Sequence, residues 1–246
     1  MCAETQLLLV GYIQFFFVLL AFSATWCAYT FLKRDHPYDN IKWKRAAATL
    51  FILNLFFVDR FSLLILSFTA IIVILYTPQI LTNSADYSRL QLRKNPLLKT
   101  ISISTAWTIV TVLIPCFDLL KKDEIIIINF GIVFFSYWLL TAGLSMAGDL
   151  RDAAIDNGKM STWPSMIGTG ATKFTVIVML LLSSFLLLQV SDLLMLSALF
   201  VMAIYTLIAC LSILFINSNK NWHFQTSWID GLIIIHSVIV YFSFGY

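Results

Sequence analysis

IIIINFGIVFFSYWLLTAGLSMAGDLRDAAIDNGK, residues 125–159, decides how the rest of the chain is read. Residues 125–147 hold no charged side chain, and a bilayer crossing needs about 20 such residues. Directly after them come Asp149, Asp152 and Asp156, in a chain with only 13 acids among 246 residues. An apolar run that ends in three clustered carboxylates is a membrane helix with chemistry at one end.

The surrounding sequence follows the same pattern. Hydrophobic residues make up 60% of the chain, charged residues 12%, and the mean hydropathy is +0.88. Soluble domains carry about 25% charge, so this composition excludes an ordinary soluble globule. Eight apolar spans are expected, near 6–32, 44–58, 61–82, 100–118, 125–147, 172–190, 192–216 and 229–246. The fold class is therefore all-α, a polytopic membrane helix bundle. The short second span and Asp59-Arg60 predict a tight hairpin with the third. No linker rich in Pro, Gly or Ser divides the chain, so residues 1–246 are expected to form a single transmembrane domain.

Basic residues set the sidedness. Lys33, Arg34, Lys42, Lys44 and Arg45 lie in one loop; Arg89, Arg93, Lys94 and Lys99 in the next of the same side. Arg151, Lys159 and Lys173 follow, then Lys220. Thirteen of the 16 basic residues thus fall on one face, with Arg60, Lys121 and Lys122 on the other. The positive-inside rule puts the thirteen, and the acidic cluster with them, in the cytoplasm. Both termini are expected outside. The net charge of +3 is spread by topology rather than gathered into a patch, so no nucleic-acid partner is expected.

Cys2, Cys27, Cys116 and Cys210 form no CxxC pair and read as packing residues. His36, His223 and His236 have no ligand spacing, so zinc is not expected.

On a helix, Asp149, Asp152 and Asp156 share an arc of roughly 60°. Carboxylates so placed repel one another unless a cation lies between them. Hard oxygen ligands at a membrane surface suit Mg²⁺, which completes its shell with water and phosphate oxygens. A solvated Asp-rich loop with Arg151 as counter-ion fits the spacing equally well. A second stretch on the same side, FLKRDHPYDN at 31–40, offers Asp35 and Asp39. Two acidic clusters facing one cavity would hold Mg²⁺ ions around one diphosphate, with Arg34, Arg93 and Lys94 clamping its oxygens. Pro37 argues against a regular helix between Asp35 and Asp39.

With those residues in place, the chain resembles the UbiA-type intramembrane prenyltransferases, in a divergent bacterial branch. GDLRDAAIDNGKMSTWPSMIG is similar to the family's second aspartate motif and its sequel: Asp149/Asp152/Asp156, Lys159, Thr162-Trp163-Pro164 and Gly168, in order. Tyr76 resembles a tyrosine that the family places beside the reacting diphosphate. LRKNPLLK with AWTIVTVLIP, and the late SWIDGLIII, extend the likeness along essentially the whole chain. Two departures stand out. The family's first motif has the form NDxxDxxxD; aligning its last acids with Asp35 and Asp39 leaves Phe31 and Leu32 where Asn and Asp belong. The family also has nine membrane helices. The missing one is expected ahead of the motif-1 helix, so the chain reads as truncated at its N-terminus, with helix 6–32 in second position.

The resemblance implies a transferase that moves a polyprenyl group from its diphosphate to an apolar acceptor, often an aromatic ring. It implies Mg²⁺ on Asp149, Asp152, Asp156, Asp35 and Asp39, diphosphate contacts from Arg34, Arg93, Lys94 and Lys159, and Tyr76 beside the leaving group. The place implied is the bacterial inner membrane, with the active-site loops cytoplasmic. The 21 Phe and 7 Trp residues would line a prenyl tunnel, although packed and lipid-facing helices use the same residues. Two other readings stay open: a UbiA-like protein whose catalysis is impaired by the degenerate first motif, and a small transporter. The transporter rests on the midspan interruptions Asn54 and Pro115 alone. A CDP-alcohol phosphotransferase is set aside because its DGxxAR opening is absent.

Overall fold

A computed structural model describes residues 14–32, 41–76, 95–121, 127–156, 161–190 and 196–216, together with Cys2, Thr5, Gln6, Leu9, Gly231, Leu232, Ile235 and His236. Within these the chain is helical and contains no strand. A bilayer permits little else, because every buried backbone N–H and C=O must find its partner within the segment. The long helices are α1 (Phe15–Leu32), α2 (Ile41–Leu55), α3 (Arg60–Tyr76) and α4 (Pro96–Thr108). A π-helical turn, Ile109–Leu113, joins α4 to α5 (Ile114–Lys121). They are followed by α6 (Ile127–Asp156), a short α7 (Trp163–Ile167), α8 (Thr169–Gln189) and α9 (Leu196–Phe215).

Among the described residues, three stretches are each long and apolar enough to cross a membrane: Pro96–Phe117, Ile127–Ala153 and Thr169–Gln189. Phe15–Ala28, Arg60–Tyr76 and Ala203–Phe215 are shorter apolar helices. Phe56 is 81% exposed, and Phe15, Phe57, Ile127 and Phe215 also stand out from the surface. Apolar side chains displayed on that scale belong in lipid. The chain is an integral membrane protein.

Several expected boundaries shift for identifiable reasons. The first span does not run unbroken from residue 6. Gln14 lies outside α1 and donates its backbone N–H to Gln6 Oε1 at 2.8 Å, so a side chain replaces the helical acceptor there. The predicted turn between the second and third spans is present, and Asp59 starts α3 by accepting from the N–H groups of Phe61 and Ser62 at 3.0 and 3.2 Å. Its two helices nevertheless do not pack as a pair. α2 lies along α1, while α3 leans on α4 and the π turn. The end of the third expected span, 77–82, and most of the last, 229–246, lie outside the described residues.

The two midspan interruptions are resolved locally. Pro115 has no N–H to give and would break an α-helix; the π turn just before it carries α4 into α5, with the Ile114 N–H donating to Ile109 O. Asn54 is buried, and its Nδ2 donates to Ser23 Oγ of α1 at 3.2 Å and to Leu50 O at 2.9 Å. Both features therefore serve helix geometry and helix–helix attachment.

The main core lies where α6 crosses α8. Val133, Tyr137, Leu140 and Leu144 meet Val176, Leu180 and Leu187, with Tyr205, Ala209 and Ile213 of α9 behind. Small residues let the backbones approach: a Cβ on Gly143 would sit 3.5 Å from Met179 Cβ. At the same crossing Ser136 Oγ donates to Ser183 O at 2.8 Å and Ser183 Oγ returns a bond to Ser136 O at 2.9 Å. A smaller cluster of Leu20, Leu66, Ile109 and Ile114 ties α1 and α3 to the π turn and α5.

Candidate acidic site at the end of helix α6

α6 has 30 residues, and at 1.5 Å per residue it is about 45 Å long. The hydrocarbon core is only about 30 Å thick. A bilayer entered at Ile127 is crossed in about 20 residues, near Met146, which would leave Gly148–Asp156 beyond it. The three acids of the motif ride on this extension, and the helix is continuous through all of them. The shared arc inferred from spacing is thus built on a real helix.

Asp149 is 1% exposed. A buried carboxylate needs compensation, and here it comes from α4. Lys99 Nζ forms an ion pair with Asp149 Oδ1. The other carboxylate oxygen, Oδ2, accepts from the Trp163 N–H at 3.4 Å. The helix start that carries Lys99 is well defined. Asn95 caps α4, its Oδ1 accepting from the Leu97 N–H at 3.0 Å, and Pro96 opens the first turn. One residue beyond Lys99, Thr100 Oγ1 accepts from the Trp163 indole Nε1 at 2.8 Å.

The segment after α6 closes the third side. Thr162 is buried, and its N–H donates to Ser165 Oγ at 2.9 Å, which sets the start of α7. Gly168 then takes a φ of +83° between α7 and α8. That left-handed conformation is one a residue with a Cβ adopts only under strain. Thr162-Trp163-Pro164 and Gly168 therefore fold the chain back so that one tryptophan touches both the acid and the helix that neutralises it.

Asp152 is more open. Its side chain is 34% exposed and receives a two-point contact from Arg151, Nε to Oδ1 at 2.6 Å and Nη2 to Oδ2 at 2.9 Å. The repulsion foreseen among the acids is thus balanced at Asp149 and Asp152 by protein cations. Asp156 is the last residue of α6, and its side chain lies outside those described. Tyr76 ends α3 and is half-buried. Arg34, Asp35, Asp39, Arg93, Lys94 and Lys159 lie outside the described residues, so the two-motif arrangement is an expectation. Among the described residues no three of His, Cys, Asp and Glu are grouped to hold a metal ion.

A carboxylate set has the chemistry that Mg²⁺ prefers, but an ion at Asp152 would have to displace Arg151 from both carboxylate oxygens. Asp149 does not fit as it stands, because a divalent ion there would have to expel Lys99. Lys99, Thr100 and Trp163 were not among the residues singled out from the sequence. Lys99 counts there only as a topological charge, although the Asn-Pro helix start at 95–96 places it within the first turns of α4.

No family model matches the sequence, and no curated protein does either. The fold itself is shared with a solved structure reported under "Structural and mechanistic insights into the biosynthesis of Digeranylgeranylglyceryl phosphate synthase in membranes". The likeness covers 98% of this chain and 89% of that one, at 17% identity and a TM-score of 0.58. At that identity it establishes a common membrane architecture.

Proposed function

We propose that this chain is a UbiA-type membrane prenyltransferase, moving a polyprenyl group from its diphosphate to an apolar acceptor, with Mg²⁺ as cofactor. The observation that carries this reading is the aspartate helix: α6 carries its acids in its last turns, after an apolar stretch long enough to cross a membrane, in a fold shared over nearly the whole chain with a digeranylgeranylglyceryl phosphate synthase. That neighbour's name denotes geranylgeranyl groups on a glyceryl phosphate, which supports a prenyl donor here.

A site at this depth suits a two-sided substrate. The diphosphate stays at the polar surface near Asp152 and Asp156, while the chain lies in the apolar interior. Asp152 and Asp156, with Asp35 and Asp39, would hold Mg²⁺, which when bound supplies positive charge to the leaving diphosphate. Arg34, Arg93, Lys94 and Lys159 would clamp the phosphate oxygens, with Tyr76 beside the leaving group. The loops bearing these residues would face the cytoplasm.

The test is turnover in nanodiscs with radiolabelled geranylgeranyl diphosphate, Mg²⁺ and a membrane lipid extract as acceptor. Transfer of label into lipid is expected, lost with EDTA and lowered about 100-fold by Asp152→Asn. The engagement of Asp149 by Lys99 favours a second reading, an impaired UbiA-like protein. That reading wins if donor binding ignores both Mg²⁺ and Asp152→Asn and no label is transferred.

A further inference from the structure

We infer that Lys99 stands in for one of the divalent cations at this site, bridging Asp149 to the diphosphate as a second metal ion would. The inference rests on reading the acidic cluster as a diphosphate site.

Lys99 and a divalent ion exclude each other at Asp149. The carboxylate is almost fully buried, one oxygen is taken by Nζ and the other by the Trp163 N–H. An ion entering there would put a dication beside the ammonium, because the α4 start capped by Asn95 and opened by Pro96 keeps the Lys99 backbone within reach of Asp149. The pair also differs from a surface ion pair made by two flexible chains, which contributes little. Three segments hold it: the start of α4, the end of α6, and Trp163, bonded to Thr100 next to Lys99.

An ammonium has three N–H donors. Asp149 takes one, and the Lys99 side chain keeps 18% of its surface exposed, so donors remain for phosphate oxygens. A carboxylate on one side and a phosphate on the other is the environment of a bridging metal. The sequence gives an independent reason to need fewer ions, since Phe31 and Leu32 stand where the resembled family has Asn and Asp. Ligands for a second ion are thus reduced on one motif, and a fixed cation fills the other.

The test counts metal. Mn²⁺ bound per chain is measured by the EPR signal of the free ion, with farnesyl thiodiphosphate as a non-ionising probe in nanodiscs. Wild type is expected to bind one ion with the probe, and Lys99→Met two, because Asp149 becomes available. Lys99→Met unbalances a buried acid, so Lys99→Met with Asp149→Asn serves where the single variant does not fold. The double variant should keep its one ion and bind the probe about tenfold more weakly. Two ions in wild type, one in a folded Lys99→Met, or loss of the ion in the double variant each overturn the inference while leaving a metal–diphosphate site intact. No ion in wild type overturns that underlying reading as well.

Discussion

Asp149 and Lys99 make the sharpest demand of any two side chains in the described structure. Breaking a buried pair by removing one partner costs about 3–5 kcal/mol, whereas replacing both by neutral groups is often nearly harmless. Lys99→Met should therefore lower the detergent melting temperature strongly without metal, and Lys99→Met with Asp149→Asn should recover most of the loss. Equal melting of the single and double variants would mean that the pair is not coupled. Trp163→Phe removes the indole donor to Thr100 and should cost about 1 kcal/mol. At this scale the acids were legible, because three Asp residues after an apolar run are conspicuous in a chain so poor in charge. Their partner was not. Lys99 lies 50 residues away from Asp149, and no spacing rule connects the start of α4 to the end of α6.

Helix pairs carry the next level of specificity. In a bilayer the lipid is as apolar as leucine, so α6 and α8 are held by close packing and interhelical hydrogen bonds. The reciprocal Ser136–Ser183 bonds are the polar part of that contact. Bonds of this kind contribute about 0.6 kcal/mol on average, so Ser136→Ala with Ser183→Ala should be mild. Gly143→Leu should be worse, by about 1–3 kcal/mol, because a Cβ there is already in van der Waals contact with Met179 and Leu180. Thermal unfolding of the two variants in one detergent checks the order, and a reversed order would place the stability in the serines. The spans that form these helices follow from hydropathy and were readable, whereas the faces that pack together were not, because both helices are apolar nearly all round. Nor was the π turn. Pro115 announces an interruption, but whether a helix kinks or takes up an extra residue depends on neighbours such as Leu20 and Leu66 packing around Ile109 and Ile114.

For the whole molecule, the membrane class was open to reading because hydropathy sums over the entire chain. The helix count was less so. An apolar run reads as one span whether or not a side chain interrupts it, and Gln6 taking the Gln14 amide shows the difference. α2 is a related case. Lys42, Lys44 and Arg45 occupy its start, leaving an apolar helical part of about 15 Å, short of the hydrocarbon thickness.

Sidedness is where charge counting makes its most exposed prediction. On the eight-span reading of the sequence, thirteen basic residues fall on one face against three on the other, which favours that face as cytoplasmic. The acids at the end of α6 lie on the same face as Lys99 and Lys173. Ser84→Cys would report the loop before α4, and Asp123→Cys the opposite face, between α5 and α6. Cys2 and Cys116 are buried, and Cys27 and Cys210 are half-buried, so they should label slowly with an impermeant maleimide. In intact cells Asp123→Cys should react and Ser84→Cys should not; in inverted vesicles the order should reverse. Labelling of Ser84→Cys from outside would put the acids and Lys99 on the outer face. A donor made in the cytoplasm would then have to cross the membrane before reaching Asp152, and the proposed prenyl transfer would lose its supply.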